Sequence, residues 1–143
     1  MARLSCYYEI DNFYELKKIE KDIISNRIII NRSQEVFCKF IEFRKKNEIL
    51  YPDYGKYIKS FVMEEKYWTL LKEEYPVFLP EDCEHWVLWI ADYNISNTDF
   101  ENILDEALKI KGWKKEEIIY FEKIKNNRSV PEVRHWHIYA KLM

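Results

Sequence analysis

Glu84-His85-Trp86-Val87-Leu88-Trp89-Ile90-Ala91 is a run without Gly or Pro in which aromatic and β-branched side chains dominate. It follows a short segment bracketed by Pro76 and Pro80, and such a run next to chain-breaking residues reads as a β-strand. Downstream, Thr98 and Glu101 have capping-box spacing, and Phe100, Ile103, Leu104, Ala107 and Leu108 form one apolar stripe. Gly112 stands where a left-handed helix terminator belongs, so the spacing predicts a helix over 98–111. Glu117-Ile118-Ile119-Tyr120-Phe121 reads as a second strand, and after the polar loop from Lys125 to Ser129 the run from Val133 to Ala140 reads as a third. The C-terminal part, about 84–142, is therefore expected to be β-α-β-β.

Upstream of the first strand the period changes from two to that of a helix. Asn12 and Glu15 again have capping-box spacing, with Phe13, Leu16, Ile19 and Ile23 on one face, so residues 12–24 are expected to be helical. Ser33 can cap a second helix carrying Val36, Phe37, Phe40 and Ile41, running to about Asn47, with Lys45 and Lys46 complementing its dipole. A third stripe, Tyr54, Tyr57, Ile58, Phe61 and Val62, follows Pro52-Asp53 and extends the helical layer towards Trp68 and about residue 72. The expectation is a single α+β domain over 1–143, with N-terminal helices packed on a small, mostly antiparallel sheet.

The 143 residues suit one domain. With 48% hydrophobic and 17% aromatic residues, the chain has enough apolar material for a packed core. Only two Gly and four Pro are present, which excludes the glycine-rich phosphate loops of dinucleotide and P-loop folds. Met1 to Ile10 contain no apolar leader pattern and no stretch is long and uncharged enough to span a bilayer. Cys6, Cys38 and Cys83 are odd in number and far apart, which fits reduced thiols and a cytoplasmic or nuclear setting.

The formal net charge of −2 conceals an asymmetry, because residues 1–108 carry 14 basic and 21 acidic side chains while 109–143 carry 9 and 4. A small basic segment on an acidic chain suits a compact anion and argues against a long nucleic acid, which needs a larger basic field. Solvated surface lysines would give the same count.

All three histidines fall in predicted strands. Side chains alternate along a strand, so His135 and His137 share a face with Val133 and Tyr139, while Trp136, Ile138 and Ala140 point the other way. His85 likewise shares a face with Val87 and Trp89. If Trp86, Leu88, Ile90, Trp136, Ile138 and Ala140 build the core, all three imidazoles emerge on one side. That constellation has three readings: half-exposed histidines bonded to water or carboxylates, a site for Zn or another divalent metal on His85, His135 and His137, or a metal-free site that handles phosphate or protons. Arg128, Ser129 and Arg134 adjoin the histidines in sequence and suit bidentate contacts to a phosphate or carboxylate. Trp89 or Tyr139 could stack on a base, or belong to the core. Cys83 lies two residues before His85, which leaves a nucleophilic Cys-His pairing as a minor alternative, since i and i+2 on a strand are held roughly 7 Å apart.

Phe121-Glu122 followed by Arg128-Ser129-Val130-Pro131-Glu132-Val133-Arg134-His135-Trp136-His137-Ile138 resembles the terminal motif of the domain-of-unknown-function family of fungal N-acetylglucosamine-induced proteins, also found in large DNA viruses. Asn26, Arg32-Ser33, Tyr54-Gly55 and Pro80-Glu81 to His85 agree with it in order, over about residues 23–140. Where such proteins tend to have Asn-Pro-Pro, this chain has Lys123-Ile124-Lys125. The resemblance implies a cytoplasmic protein linked to amino-sugar or nucleotide-sugar metabolism, with Arg128, Ser129, His135 and His137 as site positions. His135-Trp136-His137 also resembles the metal-binding motif of rolling-circle replication endonucleases. Those enzymes need a tyrosine nucleophile after the motif, and here Tyr139 alone follows. The functional expectation is a domain that binds a phosphorylated or nucleotide-sugar-like anion at the His/Arg face. The alternatives are a protein-protein interaction module, for instance of a virus, and a metal-dependent nuclease of the His-hydrophobe-His type.

Overall fold

A computed structural model describes residues 4–6, 10–50, 67–92, 94–122 and 133–142, with side chains described except at 4–6 and 48–50. It is an α+β fold. In chain order the elements are β1 (Leu4–Cys6), α1 (Phe13–Lys18), α2 (Glu20–Ile24), β2 (Ile28–Ile30), α3 (Gln34–Leu50), β3 (Trp68–Lys72), β4 (Cys83–Ile90), α4 (Asn97–Lys111), β5 (Ile118–Phe121) and β6 (Arg134–Lys141). β3, β4, β6 and β5 form a four-stranded sheet in that order, with every neighbouring pair antiparallel, and β1 pairs in parallel with β2.

Two long strands organise the sheet. β4 and β6 pair along their whole length, with His85 opposite Tyr139, Val87 opposite His137 and Trp89 opposite His135. The intervening side chains point to the other face, where Leu88, Ile90, Trp136, Ile138 and Ala140 are buried with Ile118 against Phe100, Ile103, Leu104 and Leu108 of α4. Trp68, Leu70, Trp86, Trp113 and Tyr120 close the edge of this core. α4 lies there because its apolar stripe covers one side only, as expected from the sequence. Gly112 terminates it at φ 72°, a left-handed conformation that an L-residue with a Cβ adopts at a cost of about 1 kcal/mol or more. The cap at the other end is Ser96, whose hydroxyl accepts the Asp99 N–H at 3.1 Å, and not Thr98. Both residue types cap well, and the cap falls two residues earlier than expected because Ser96 is extended at φ −73°, ψ 157°.

The histidine-bearing face is also covered. Phe13, Leu16, Ile23 and Ile30 bury against Ile119 and Tyr139, giving a second core on the opposite side of the same sheet. The predicted helix over 12–24 is two short helices, because Ile19 at φ −103°, ψ 15° closes a tighter turn through its N–H to Leu16 O at 3.2 Å. Asn12 caps α1 as expected, its side-chain oxygen accepting the Glu15 N–H at 2.9 Å. A long-range contact fixes where α1 sits: the Asp82 carboxylate accepts the Phe13 N–H at 2.9 and 3.1 Å, while the Asp82 carbonyl accepts the Leu142 N–H at 2.8 Å. One residue thus ties the helical cover to the start of β4 and the end of β6.

After α2 the chain reverses through Asn26 at φ 60°, a left-handed position that Asn tolerates better than most residues. The Arg27 N–H bonds back to Asp22 O at 2.9 Å, closing the helix end and launching β2. Ser33 then caps α3 by accepting the Val36 N–H at 3.3 Å. The expected stripe at 54–62 lies outside the described residues. Trp68–Lys72 is a strand where the sequence reading extends the helical layer to about 72, and its pairing to β4, with Leu70 opposite Leu88, explains the difference. A Trp-Thr-Leu-Leu-Lys segment has no strong local preference, and edge pairing decides it.

The two candidate caps of α4 make a direct test. Ser96→Ala should lower stability by about 1 kcal/mol in urea unfolding, whereas Thr98→Ala should cost less; equal losses would contradict this helix start.

Candidate functional site

The face of β4 and β6 that carries the histidines meets the β2–α3 segment across a cavity of about 570 Å³. Ile23, Ile28, Ile29, Ile30 and Val77 give it an apolar wall, and Asn26, Asn31, Gln34 and Arg32 bring polar groups from the segment that turns from α2 through β2 into α3. His85, His137 and Tyr139 come from the sheet, and Phe121 and Phe37 complete the lining.

Two of the three histidines meet here. His85 Nε2 lies 2.9 Å from His137 Nδ1, because His85 sits one register step from the Val87–His137 pair on the same face. His85 is only 2% exposed. Its Nδ1 receives the Val77 N–H at 3.3 Å, so both ring nitrogens are engaged. Burial pushes its pKa down to about 3, with the nearby Arg32 charge acting in the same direction. His85 is therefore a neutral, structurally committed imidazole. Phe121 stacks on His137 with centroids 5.5 Å apart and 27° between planes, and Tyr139 meets His85 edge-on at 5.2 Å.

The third histidine lies one step further along the same face. His135 packs on Trp89, its partner in register, at 4.8 Å, and its ring is 5.4 Å from that of His137. It does not line the cavity. All three imidazoles share a side as alternation requires, yet that side is covered at the His85 end. Among the described residues no group of three His, Cys, Asp or Glu side chains is placed to hold a metal ion. The expected His85, His135 and His137 triad is not assembled because the lone pair and the proton of His85 are taken by Val77 and His137.

Arg134 projects from the face of β6 opposite to the histidines. It alternates onto the α4 side of β6, where its guanidinium grips Glu122 through Nε to Oε2 at 2.7 Å and Nη2 to Oε1 at 2.6 Å. It also lies over the Trp136 ring at 4.9 Å. Being next to His135 in sequence put it on the opposite face of the sheet. Arg128 and Ser129 lie outside the described residues. Cys83 shares the His85 face, but burial and a 3.4 Å contact to the Asp82 carboxylate push its thiol up to about 12, which removes the thiolate a nucleophile needs.

The cation of the site is Arg32, which the sequence reading met only as part of a helix opening. It is half-buried and lines the cavity. Its Nε donates to Tyr75 O at 2.6 Å and its plane lies 4.0 Å above the Phe40 ring, which fixes the guanidinium. Burial lowers its pKa from the ordinary arginine value, partly offset by Glu73, and it stays charged. Among the described residues no carboxylate forms an ion pair with it. Tyr139, 3% exposed, also lines the cavity, and no described residue hydrogen-bonds its hydroxyl. Burial raises the pKa of that hydroxyl, so it remains a neutral donor and acceptor. The signal for Arg32 in the sequence was weak: a basic residue just before the Ser33 cap, with nothing local to link it to strands fifty residues and more downstream.

No family model matches the chain, and no curated protein does either. Among solved structures the chain is similar to the crystal structure of HTC1, at 12% sequence identity and a TM-score of 0.61, over 94% of this chain and 86% of that one. A likeness at that identity concerns the fold alone. No helix among the described residues is long and apolar enough to cross a membrane.

The buried histidine makes stability depend on pH. Unfolded, His85 takes a proton below about pH 6.5; folded, it refuses one until about pH 3. Its contribution is therefore intact above 6.5 and is lost as pH falls through that window, by up to about 1.4 kcal/mol per unit. Thermal unfolding between about pH 6.5 and 5 should show this slope, and His85→Gln should flatten it; an unchanged slope would remove His85 as the cause.

Proposed function

We propose that the domain binds a small, phosphorylated or nucleotide-sugar-like anion in the cavity between β4, β6 and the β2–α3 segment. The observation that carries this reading is Arg32, half-buried at the cavity and without an ion pair among the described residues. Glu73 offsets the desolvation of this guanidinium only in part and forms no ion pair with it, and an anion in the cavity would offset more of that cost. The Tyr139 hydroxyl and the side chains of Asn26, Asn31 and Gln34 supply neutral hydrogen bonds around the same space, and the isoleucines and Phe37 supply the apolar surface that a sugar or base would cover. His137 completes the polar side.

The resemblance of the Arg32-Ser33 and His135-Trp136-His137 segments to the N-acetylglucosamine-induced proteins favours amino-sugar and nucleotide-sugar ligands within that class. Arg32 replaces Arg134 as the charge partner in this reading, and His85 acts through His137 rather than on the ligand.

Thermal stability should be followed with inorganic phosphate, sugar phosphates and nucleotide sugars. A hundredfold excess of a true ligand over its dissociation constant should stabilise the protein by about 2.7 kcal/mol. Arg32→Gln should abolish the gain while leaving the unliganded protein folded. If no compound stabilises the wild type, or Arg32→Gln responds equally, the reading fails.

A further inference from the structure

We infer that Tyr139 is a specificity-determining residue of the cavity, and that its hydroxyl together with the two Nη groups of Arg32 reads a tetrahedral oxyanion, a phosphoryl or sulfuryl ester, in preference to a planar carboxylate. The inference rests on the anion-site reading above.

Tyr139 is 3% exposed, yet no described residue hydrogen-bonds its hydroxyl. Folded proteins pair nearly all of their buried polar groups, so such an exception needs an explanation. Among the described residues, Trp86 Nε1 is the one fully enclosed side-chain polar atom without a partner. The Tyr139 hydroxyl is therefore not sealed in, and it opens onto the cavity that its residue lines. The ring is fixed between His85, edge-on at 5.2 Å, and Phe121, at 5.3 Å and 71°, so the hydroxyl has little freedom to turn elsewhere. Burial raises its pKa, the Arg32 charge opposes this only in part, and the phenol keeps a proton to donate.

Arg32 is equally constrained. Its Nε is spent on Tyr75 O at 2.6 Å and its plane is held 4.0 Å from the Phe40 ring centre, while no described residue accepts from Nη1 or Nη2. Two parallel Nη–H bonds take two oxygens in the guanidinium plane. Arg32 enters from the segment between β2 and α3, and Tyr139 from β6 in the facing sheet, so the two donors stand on opposite walls. A carboxylate gripped by the Nη pair has both oxygens on one wall and turns its carbon substituent to the other. That would leave the phenol buried against hydrocarbon and unpaired, which penalises the complex. A phosphoryl or sulfuryl group keeps a third oxygen for the phenol.

The test compares wild type with Tyr139→Phe, which removes the hydroxyl and keeps the ring. Because the hydroxyl has no described partner, thermal unfolding of the unliganded variant should match that of the wild type; a clear loss of stability would assign the hydroxyl to the fold and overturn the inference. Methyl phosphate, methyl sulfate and acetate are then titrated by calorimetry, methyl sulfate carrying the same single charge as acetate. Tyr139→Phe should weaken both tetrahedral esters about tenfold and leave acetate unchanged, and the tighter ester in the wild type identifies the ligand's head group. An equal loss for acetate, a loss for methyl phosphate with methyl sulfate behaving as acetate, or no loss for any of the three would overturn the inference while the anion site stands. Failure of all three to bind the wild type would overturn the anion site and the inference with it.

Discussion

The pairing of β4 with β6 is the constraint on which the rest depends. Its register sets His85 against Tyr139 and Val87 against His137, and in the same stroke assigns Leu88, Ile90, Trp136 and Ile138 to the face under α4. A slip by one residue would exchange the faces, burying imidazoles under α4 and presenting the aliphatic set to the other layer. Aliphatic side chains with almost no exposure on the α4 side hold the register, and the site inherits its geometry from them.

Much of this was legible in the sequence because it is locally encoded. Strand alternation in His85 to Ile90 and Val133 to Ala140 placed all three histidines on one side correctly, and the stripe from Phe100 to Leu108 with Gly112 behind it marked α4. Where local signals were duplicated or absent, reading failed. Ser96 and Thr98 are both competent caps, and backbone geometry alone separates them. Trp68–Lys72 becomes a strand through its partner β4, a non-local cause. The candidate site was half legible. His137 and His85 were in view, but Arg32 is joined to them only by the folding of the N-terminal layer over the sheet, and Arg134 was misplaced because adjacency along a strand means opposite faces.

Burial and charge pull the site in one direction. The apolar cover that hides His85 drives it to the neutral form, and Arg32 beside it reinforces this. Neutrality in turn permits the bond to His137, which a charged His85 could still donate but could not combine with acceptance from Val77. The covering layer is thus part of the electrostatics and not only a lid of hydrophobic residues. Asp82 secures that layer by receiving the N-terminus of α1.

The sheet separates two cores that draw on alternate residues of the same strands, Leu88, Ile90 and Ile138 on one side and Ile119 and Tyr139 on the other. Each face can accumulate substitutions while the other stays packed. The fold shared with HTC1 at 12% identity shows that this architecture does not depend on most of its particular side chains.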